Sequence, residues 1–420
     1  MDGFLKYFKN TAWLLGNRAY GMLIGFFVTV LVTRYLGPEN YGMLSYAISF
    51  AGLFGFIAGL GLDQVLYRDL IKDKENENAL LGSSLLLRLV SGSIAALLAI
   101  LGALIVGENG ISLWLIIIVS GAYVFQAFNV INYAFQARVH SKFPSVSTII
   151  VVTILAALKL LVLYYHKGIY YFAAIYTLEP LLYGILFLYF YKRQYSSPRK
   201  WTFDRNLATS MVIASSPLIL SAVFVSIYSR IDQILIKHLI DVTSVGIYDA
   251  AVRVAELWYF IPGIIMSSLF PSIVNSYHSD KKLYAKRMAH LTGLLLGLSF
   301  VIAIIVAFFA RPIMNLIFGS EFVSGYRVLQ LYVWSGLGVS LGTILNQYLV
   351  IEKLTKVILY ASIVGMAINV ILNLLLIPRY GISGSAFATL VSYIVGPLSV
   401  ICFTSSRIKL KELYKDIMSA

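Results

Sequence analysis

The sequence predicts an all-α polytopic membrane protein, and three observations predict it. Of 420 residues, 59% are hydrophobic and 12% charged, about half the charged share of an ordinary soluble domain. Apolar runs of about twenty residues recur from end to end, long enough to cross a hydrocarbon core of roughly 30 Å at about 1.5 Å per residue. Strands of the alternating, barrel-forming kind are absent from the pattern. Mean hydropathy is +0.83.

Twelve spans are expected in order. The first two occupy 11–34 and 41–62. Span 1 is interrupted by Arg18 and lacks a small-residue cleavage site, so it is expected to be retained as a span and not removed as a signal peptide. Spans 3 and 4, at 80–106 and 111–136, are joined by "GENG", and spans 5 and 6, at 144–165 and 169–191, by "HKG". Spans 7 to 12 follow at 208–235, 246–275, 288–309, 324–348, 354–377 and 384–406. Span 10 carries the weakest signal, because Ser, Gly, Asn and Gln dilute it.

Charge sets the sidedness. The chain carries a net charge of +14, which in a soluble protein would suggest nucleic acid. Here the basic residues lie between spans, with twenty-two on one face and six on the other. By the positive-inside rule the crowded face is cytoplasmic, and with it both termini. The runs "YKRQYSSPRK" and "SDKKLYAKR" read as topology signals that contact lipid surfaces; no nucleic-acid partner is expected. No loop is large enough for an enzyme domain. A single cysteine, Cys402, excludes disulfides within the chain and thiolate metal sites. None of the five histidines lies mid-span or at metal-ligand spacing, and no phosphate-cradling Gly-rich loop appears, so neither a cofactor nor an enzyme activity is expected.

The segment "YKRQYSSPRKWTFDRN" (191–206) divides the chain evenly. Lobe 1 is expected over 1–191, a cytoplasmic linker over 192–207 and lobe 2 over 208–420, with six spans in each lobe. Self-similarity points to duplication. "YLGPENYGMLSYA" (35–47) aligns with "HLIDVTSVGIYDAA" (238–251), pairing Gly42 with Gly246; "QARVHSKF" (136–143) aligns with "QYLVIEKL" (347–354), pairing Gln136 with Gln347. Six spans return the chain to its starting side, so the repeat is parallel and its pseudo-twofold axis runs along the membrane normal.

Function must then lie among charges inside the bundle. Arg18, Arg88, Lys159, Arg230 and Arg253 are the intramembrane cations, and Glu179, Asp232, Asp249 and Glu256 the acids. A charge at the bilayer centre costs at least about 2.5–3.5 kcal/mol, so such residues face protein or water. Asp249, Arg253 and Glu256 fall at i, i+4 and i+7 and share one helix face. That stripe fits either an internal ion-pair ladder or the wall of a wet cavity, with Glu256 near the midplane. Glu179 precedes Pro180 and fits a helix break. The planar, permanently charged guanidinium suits phosphate, and cations outnumber acids, so the expected cargo is anionic. The five cations are the expected substrate contacts; Asp232, Asp249 and Glu256 are the expected sites for a coupling H⁺ or Na⁺.

The stretches "RYLGPENYGMLSYAISF" (34–50), "GLGLDQVLYRDL" (59–70), "GIYDAAVRVAELWYFIPGIIMSSLFPSI" (246–273) and "GISGSAFATL" (381–390) resemble Wzx-type oligosaccharide flippases of the MATE-like MOP superfamily. The resemblance implies a MATE-like fold that moves an undecaprenyl-pyrophosphate-linked oligosaccharide across the bacterial inner membrane by alternating access, through a cation-lined cavity, alongside other glycan-assembly membrane proteins. It implies pyrophosphate or sugar contacts at Arg18, Arg230 and Arg253, and a structural or gating pair of Asp63 with Arg68. Two departures bear on related families: spans 13 and 14 of lipid II flippases have no counterpart, and Asn17–Arg18 stand where drug exporters commonly place an acid. A drug or metabolite antiporter is the alternative, and a membrane-embedded polysaccharide enzyme a weaker one.

Overall fold

The structure, a computed structural model, describes residues 2–73 and 75–418, with the side chains of 2–15, 18, 19, 217, 218, 221, 267, 268, 271, 278, 355 and 413–418 outside the description. No strand occurs among the described residues. Eight helices among them are long and apolar enough to cross a membrane, nine if a bent pair counts as one. The expected count of twelve differs partly because spans 1 and 2 run together in one bent helix, and because spans 7 and 8 include undescribed side chains. The chain divides into two compact units, residues 1–226 and 227–420.

In the first unit, α1 (Asp2–Gly52) bends at Gly37, where φ 69° and ψ 172° interrupt the helix ahead of Pro38. Glycine takes that backbone without a Cβ clash, and proline cannot supply the amide that would continue the turn. α2 (Gly55–Gly59) and α3 (Leu62–Lys72) are separated by left-handed Leu60 and Gly61. α4 (Glu77–Val106) comes next. The fourth span is assembled from α5 (Gly110–Ser120), α6 (Ala122–Phe125), a 3₁₀ turn (Gln126–Asn129) and α7 (Val130–Ala137). α8 (Lys142–Tyr164) and α9 (Ile169–Gln194) complete the unit's apolar spans. α1 packs on α5 and α8, and α4 on α2, α5 and α6. A Cβ on Gly92 would lie 2.3 Å from the Tyr123 carbonyl oxygen, so α4 and α6 meet backbone to backbone, as small residues allow between membrane helices. The segment 192–207 lies on α4: Thr202 N donates to the Asn78 carbonyl at 3.3 Å, and Asp204 N to Ser83 Oγ at 2.9 Å.

α10 (Arg205–Leu239) runs through the boundary between the units. In the second unit, α11 (Val242–Glu256) is capped by Asp241, which accepts from Ser244 N at 2.7 Å. α12 (Phe260–Ser279) and α13 (Lys281–Phe308) follow, the latter capped by Asp280. Next come α14 (Ala310–Phe318), α15 (Tyr326–Tyr332) and α16 (Ser335–Ile351); Ser320–Tyr332 and Ser335–Ile351 meet at 40° and form the bent pair. α17 (Thr355–Tyr380), α18 (Ile382–Leu398) and α19 (Thr404–Met418) end the chain, with α17 and α18 packed along each other.

Several expected spans are broken helices. Span 8 parts at Leu257–Tyr259, and aligning Gly42 with Gly246 sets that break against the one at Leu53–Phe54. Aligning Gln136 with Gln347 sets the break at Gly121 against the bend beginning beyond Tyr332. The breaks are mild, since Gly121, Leu257 and Tyr259 keep right-handed helical dihedrals.

Candidate functional site

Two groups of polar residues occupy the second unit. In the first, Asp232 on α10 is buried, 7% exposed, and fully engaged. Its carboxylate accepts from Tyr248 Oη at 2.6 Å, Thr389 Oγ1 at 2.5 Å and Asn373 Nδ2 at 2.9 Å. Asn369 extends the network, donating to Thr389 Oγ1 at 3.3 Å and Ser392 Oγ at 3.4 Å. Asn369 and Asn373 sit one turn apart on α17, and α18 presents Thr389 and Ser392 to them. Asn373 Oδ1 is buried without a hydrogen-bond partner among the described residues. The group offers carboxylate, hydroxyl and amide oxygens, with the amide Nδ2 atoms donating within it, and one formal negative charge. That chemistry suits a proton or a hard monovalent cation such as Na⁺, and does not suit a transition metal. Among the described residues no cluster of three His, Cys, Asp or Glu could hold a metal ion.

The second group gathers at the end of α11. Arg253 Nε lies 2.8 Å from Asp249 Oδ2, the i,i+4 contact expected of the stripe, with Arg253 40% and Asp249 11% exposed at their side chains. Glu256, the last residue of α11, accepts from Tyr332 Oη at 2.8 Å and remains exposed. Asp249, Arg253 and Arg230 all act on it electrostatically. Glu256 stands about 20 Å along the helix from Val242, immediately before the break. Thus Asp249, Arg253 and Glu256 lie together with Arg230 within electrostatic range of Glu256, while Asp232 is held in its own network. The two guanidiniums are balanced by two carboxylates, so the group is less cationic than the sequence suggests. The Tyr248 and Tyr332 rings meet edge to face, 6.2 Å between centroids, between the two groups.

The first unit contains a cavity of about 760 Å³. Asp63 lines it, and its partner differs from the expected one. Asp63 pairs with Arg88 on α4, whereas Arg68 Nε lies 2.8 Å from Asp69. Five helical residues turn the chain roughly 140° past a full revolution, so Arg68 faces away from Asp63. Arg88 is therefore not an exposed substrate contact: it is 4% exposed, set behind a half-exposed Asp63 and 5.7 Å over the Tyr133 ring. Glu179, expected only to mark a helix break, lines the cavity too, within α9 and beside Pro180. Lys159 is partly exposed and acts on Glu179 electrostatically. Arg18, the remaining expected contact, has its side chain outside the described residues.

Sequence reasoning passed over the uncharged polar groups. The Asn369–Asn373 pair at i,i+4 and the series Gln126, Asn129, Asn132, Gln136 on the fourth span were both visible as spacing within apolar runs.

The family model described as "Polysaccharide biosynthesis protein" matches residues 7–277, and the MatE model matches residues 217–375. The chain is 26% identical over 213 residues to a probable low-salt glycan biosynthesis flippase of Haloferax volcanii; the match spans 50% of this chain and 45% of the relative, about half the length of each. It is 22% identical to the capsular polysaccharide biosynthesis protein CapF of Staphylococcus aureus, across 94% of this chain and 98% of the relative. Among solved structures it is similar to the inward-facing conformation of a multidrug resistance MATE family transporter of the MOP superfamily. That match has a TM-score of 0.76 and 15% identity, over 94% of this chain and 96% of the other. At that identity the likeness shows the fold: an all-α, multi-pass, MATE-like membrane protein.

Proposed function

The chain belongs to the polysaccharide biosynthesis protein family, and from that premise we propose that it moves an undecaprenyl-pyrophosphate-linked oligosaccharide from the cytoplasmic to the outer leaflet of a bacterial inner membrane by alternating access. The observation that carries this is the convergence of Arg230 and Arg253 with Asp249 and Glu256 at a broken helix, where Arg253 stays 40% exposed. A guanidinium held in place by a carboxylate, as Arg253 is by Asp249, and still accessible can exchange part of its pairing for a phosphate oxygen as the headgroup arrives. The carboxylates keep the guanidiniums from standing unpaired in the membrane when no cargo is bound. With the interior negative, each negative charge moved outward gains about 2.3 kcal/mol per 100 mV, so the headgroup travels with the field.

Direction comes from a coupling ion, H⁺ or Na⁺, held at Asp232. The buried Asp232 carboxylate, contacted by Thr389 Oγ1 and Asn373 Nδ2 beside an Asn373 Oδ1 without a partner among the described residues, supports that assignment. Deleting the gene tests the function. Loss of a surface glycan, with its lipid-linked unit accumulating in the cytoplasmic leaflet, is the expected result. An unchanged surface glycan, with new sensitivity to cationic dyes, would support the antiporter instead.

A further inference from the structure

We propose that the cavity of the first unit is a subsite for the neutral sugars of the cargo, read by a ladder of side-chain amides on the fourth span. The proposal rests on the flippase reading and names the part of the cargo this cavity takes.

The ladder consists of Gln126, Asn129, Asn132 and Gln136, all of which line the cavity. The 3₁₀ turn at Gln126–Asn129 brings residues three apart into line, and α7 continues the row with steps of three and four. Four amides on one face of a membrane span are costly unless something hydrogen-bonds them. Within the chain the row is incompletely satisfied: Asn132 Nδ2 donates to Asn129 Oδ1 at 3.2 Å, while Asn132 Oδ1 is buried without a partner among the described residues. Across the cavity, Asn17 Oδ1 is likewise buried without a partner among the described residues.

The chemistry discriminates between the two ends of a lipid-linked glycan. Each amide both donates and accepts, matching a sugar hydroxyl that does the same. Tyr176 and Tyr183 add ring faces to the lining for the apolar faces of a pyranose. A pyrophosphate is disfavoured here. Among the described residues of the lining the one arginine, Arg88, is matched by Asp63, and Glu179 adds a second carboxylate to the wall. The volume, about 760 Å³, falls within the roughly 300–1,000 Å³ of small-molecule sites and gives room for a short saccharide.

The test uses the full-length protein in lipid nanodiscs and two probes: undecaprenyl pyrophosphate, and the glycan-bearing lipid extracted from the source cells. Wild type should bind the glycan-bearing lipid more tightly than the bare one. The double variant Asn129→Leu/Asn132→Leu should lose that preference, about tenfold or more in affinity for the glycan-bearing lipid, and keep its affinity for the bare lipid within about twofold. Asn129→Gln, which retains an amide, should keep most of the preference and controls for folding. Equal wild-type affinity for the two lipids, or a variant that weakens both equally while Asn129→Gln weakens neither, overturns the sugar subsite and leaves the flippase reading standing. Wild type binding neither lipid defeats both.

Discussion

The two units place charge in the membrane in opposite ways. In the first, Arg88 is 4% exposed and paired with Asp63, and the cavity it lines also presents amides and the carboxylates of Asp63 and Glu179. In the second, Arg253 is 40% exposed although it pairs with Asp249, and Glu256 beside it is exposed as well. Both arginines lie within apolar sequence, so their place in a span does not separate them. What separates them is the partner: Arg88 meets its carboxylate across helices and is enclosed there, whereas Arg253 meets its own on the same helix face and keeps an accessible side. A guanidinium in a span is thus a structural or a recognition element according to what covers it.

The largest effect that can break this contrast is expected at Arg253. Arg253→Ala should abolish rescue of the surface glycan in a deletion strain at unchanged protein level. Arg88→Ala should behave oppositely, lowering protein level and thermal stability. Its cost should fall toward the low end of the ~3–5 kcal/mol of a broken buried pair, because Asp63 is half exposed. Replacing both, Arg88→Met with Asp63→Leu, should recover much of that stability. If Arg88→Ala instead reaches normal levels and blocks transport, the contrast between the units is lost.

Next in size is Asp232→Asn. Uncharged but still hydrogen-bonded, the side chain should keep the fold while removing the dependence of transport on the ion gradient. Vesicles whose flipping responds equally to Na⁺ or H⁺ gradients with and without Asp232 would count against the coupling site. A smaller effect is expected at Tyr332→Phe, which deletes the hydroxyl donor to Glu256. A loss of about 0.5–1.5 kcal/mol, or a few-fold in transport, fits a single hydrogen bond. The smallest is Lys409→Ala on α19. Lys409 is 43% exposed beside Glu352 and Glu412, so thermal stability should move by less than about 1 kcal/mol.

Local features were legible in the sequence and non-local ones were not. The helical class follows from apolar run length, and the Asp249–Arg253 contact from its i,i+4 spacing. The resemblance implies a pair of Asp63 with Arg68, yet the Asp63 carboxylate turns to Arg88, 25 residues away, where Leu60 and Gly61 redirect α3. The breaks at Leu257–Tyr259 and at Gly121 leave no gap in hydropathy, since apolar residues flank them on both sides. Side-chain amides carry no formal charge and so escaped a search for charges, although Asn369, Asn373 and the Gln126–Gln136 row build the polar interior of the two units as much as the ions do.

Transport itself is the most direct measurement. Purified protein would be reconstituted into vesicles that carry a radiolabelled undecaprenyl-pyrophosphate glycan from the source cells, with an impermeant glycosidase reporting how much reaches the far leaflet. Wild-type vesicles should expose glycan well above protein-free vesicles, and Arg253→Ala vesicles should match the protein-free ones. Equal exposure by wild type and Arg253→Ala, or none by wild type, would contradict the assignment of the α10–α11 charge cluster as the place where the headgroup is carried.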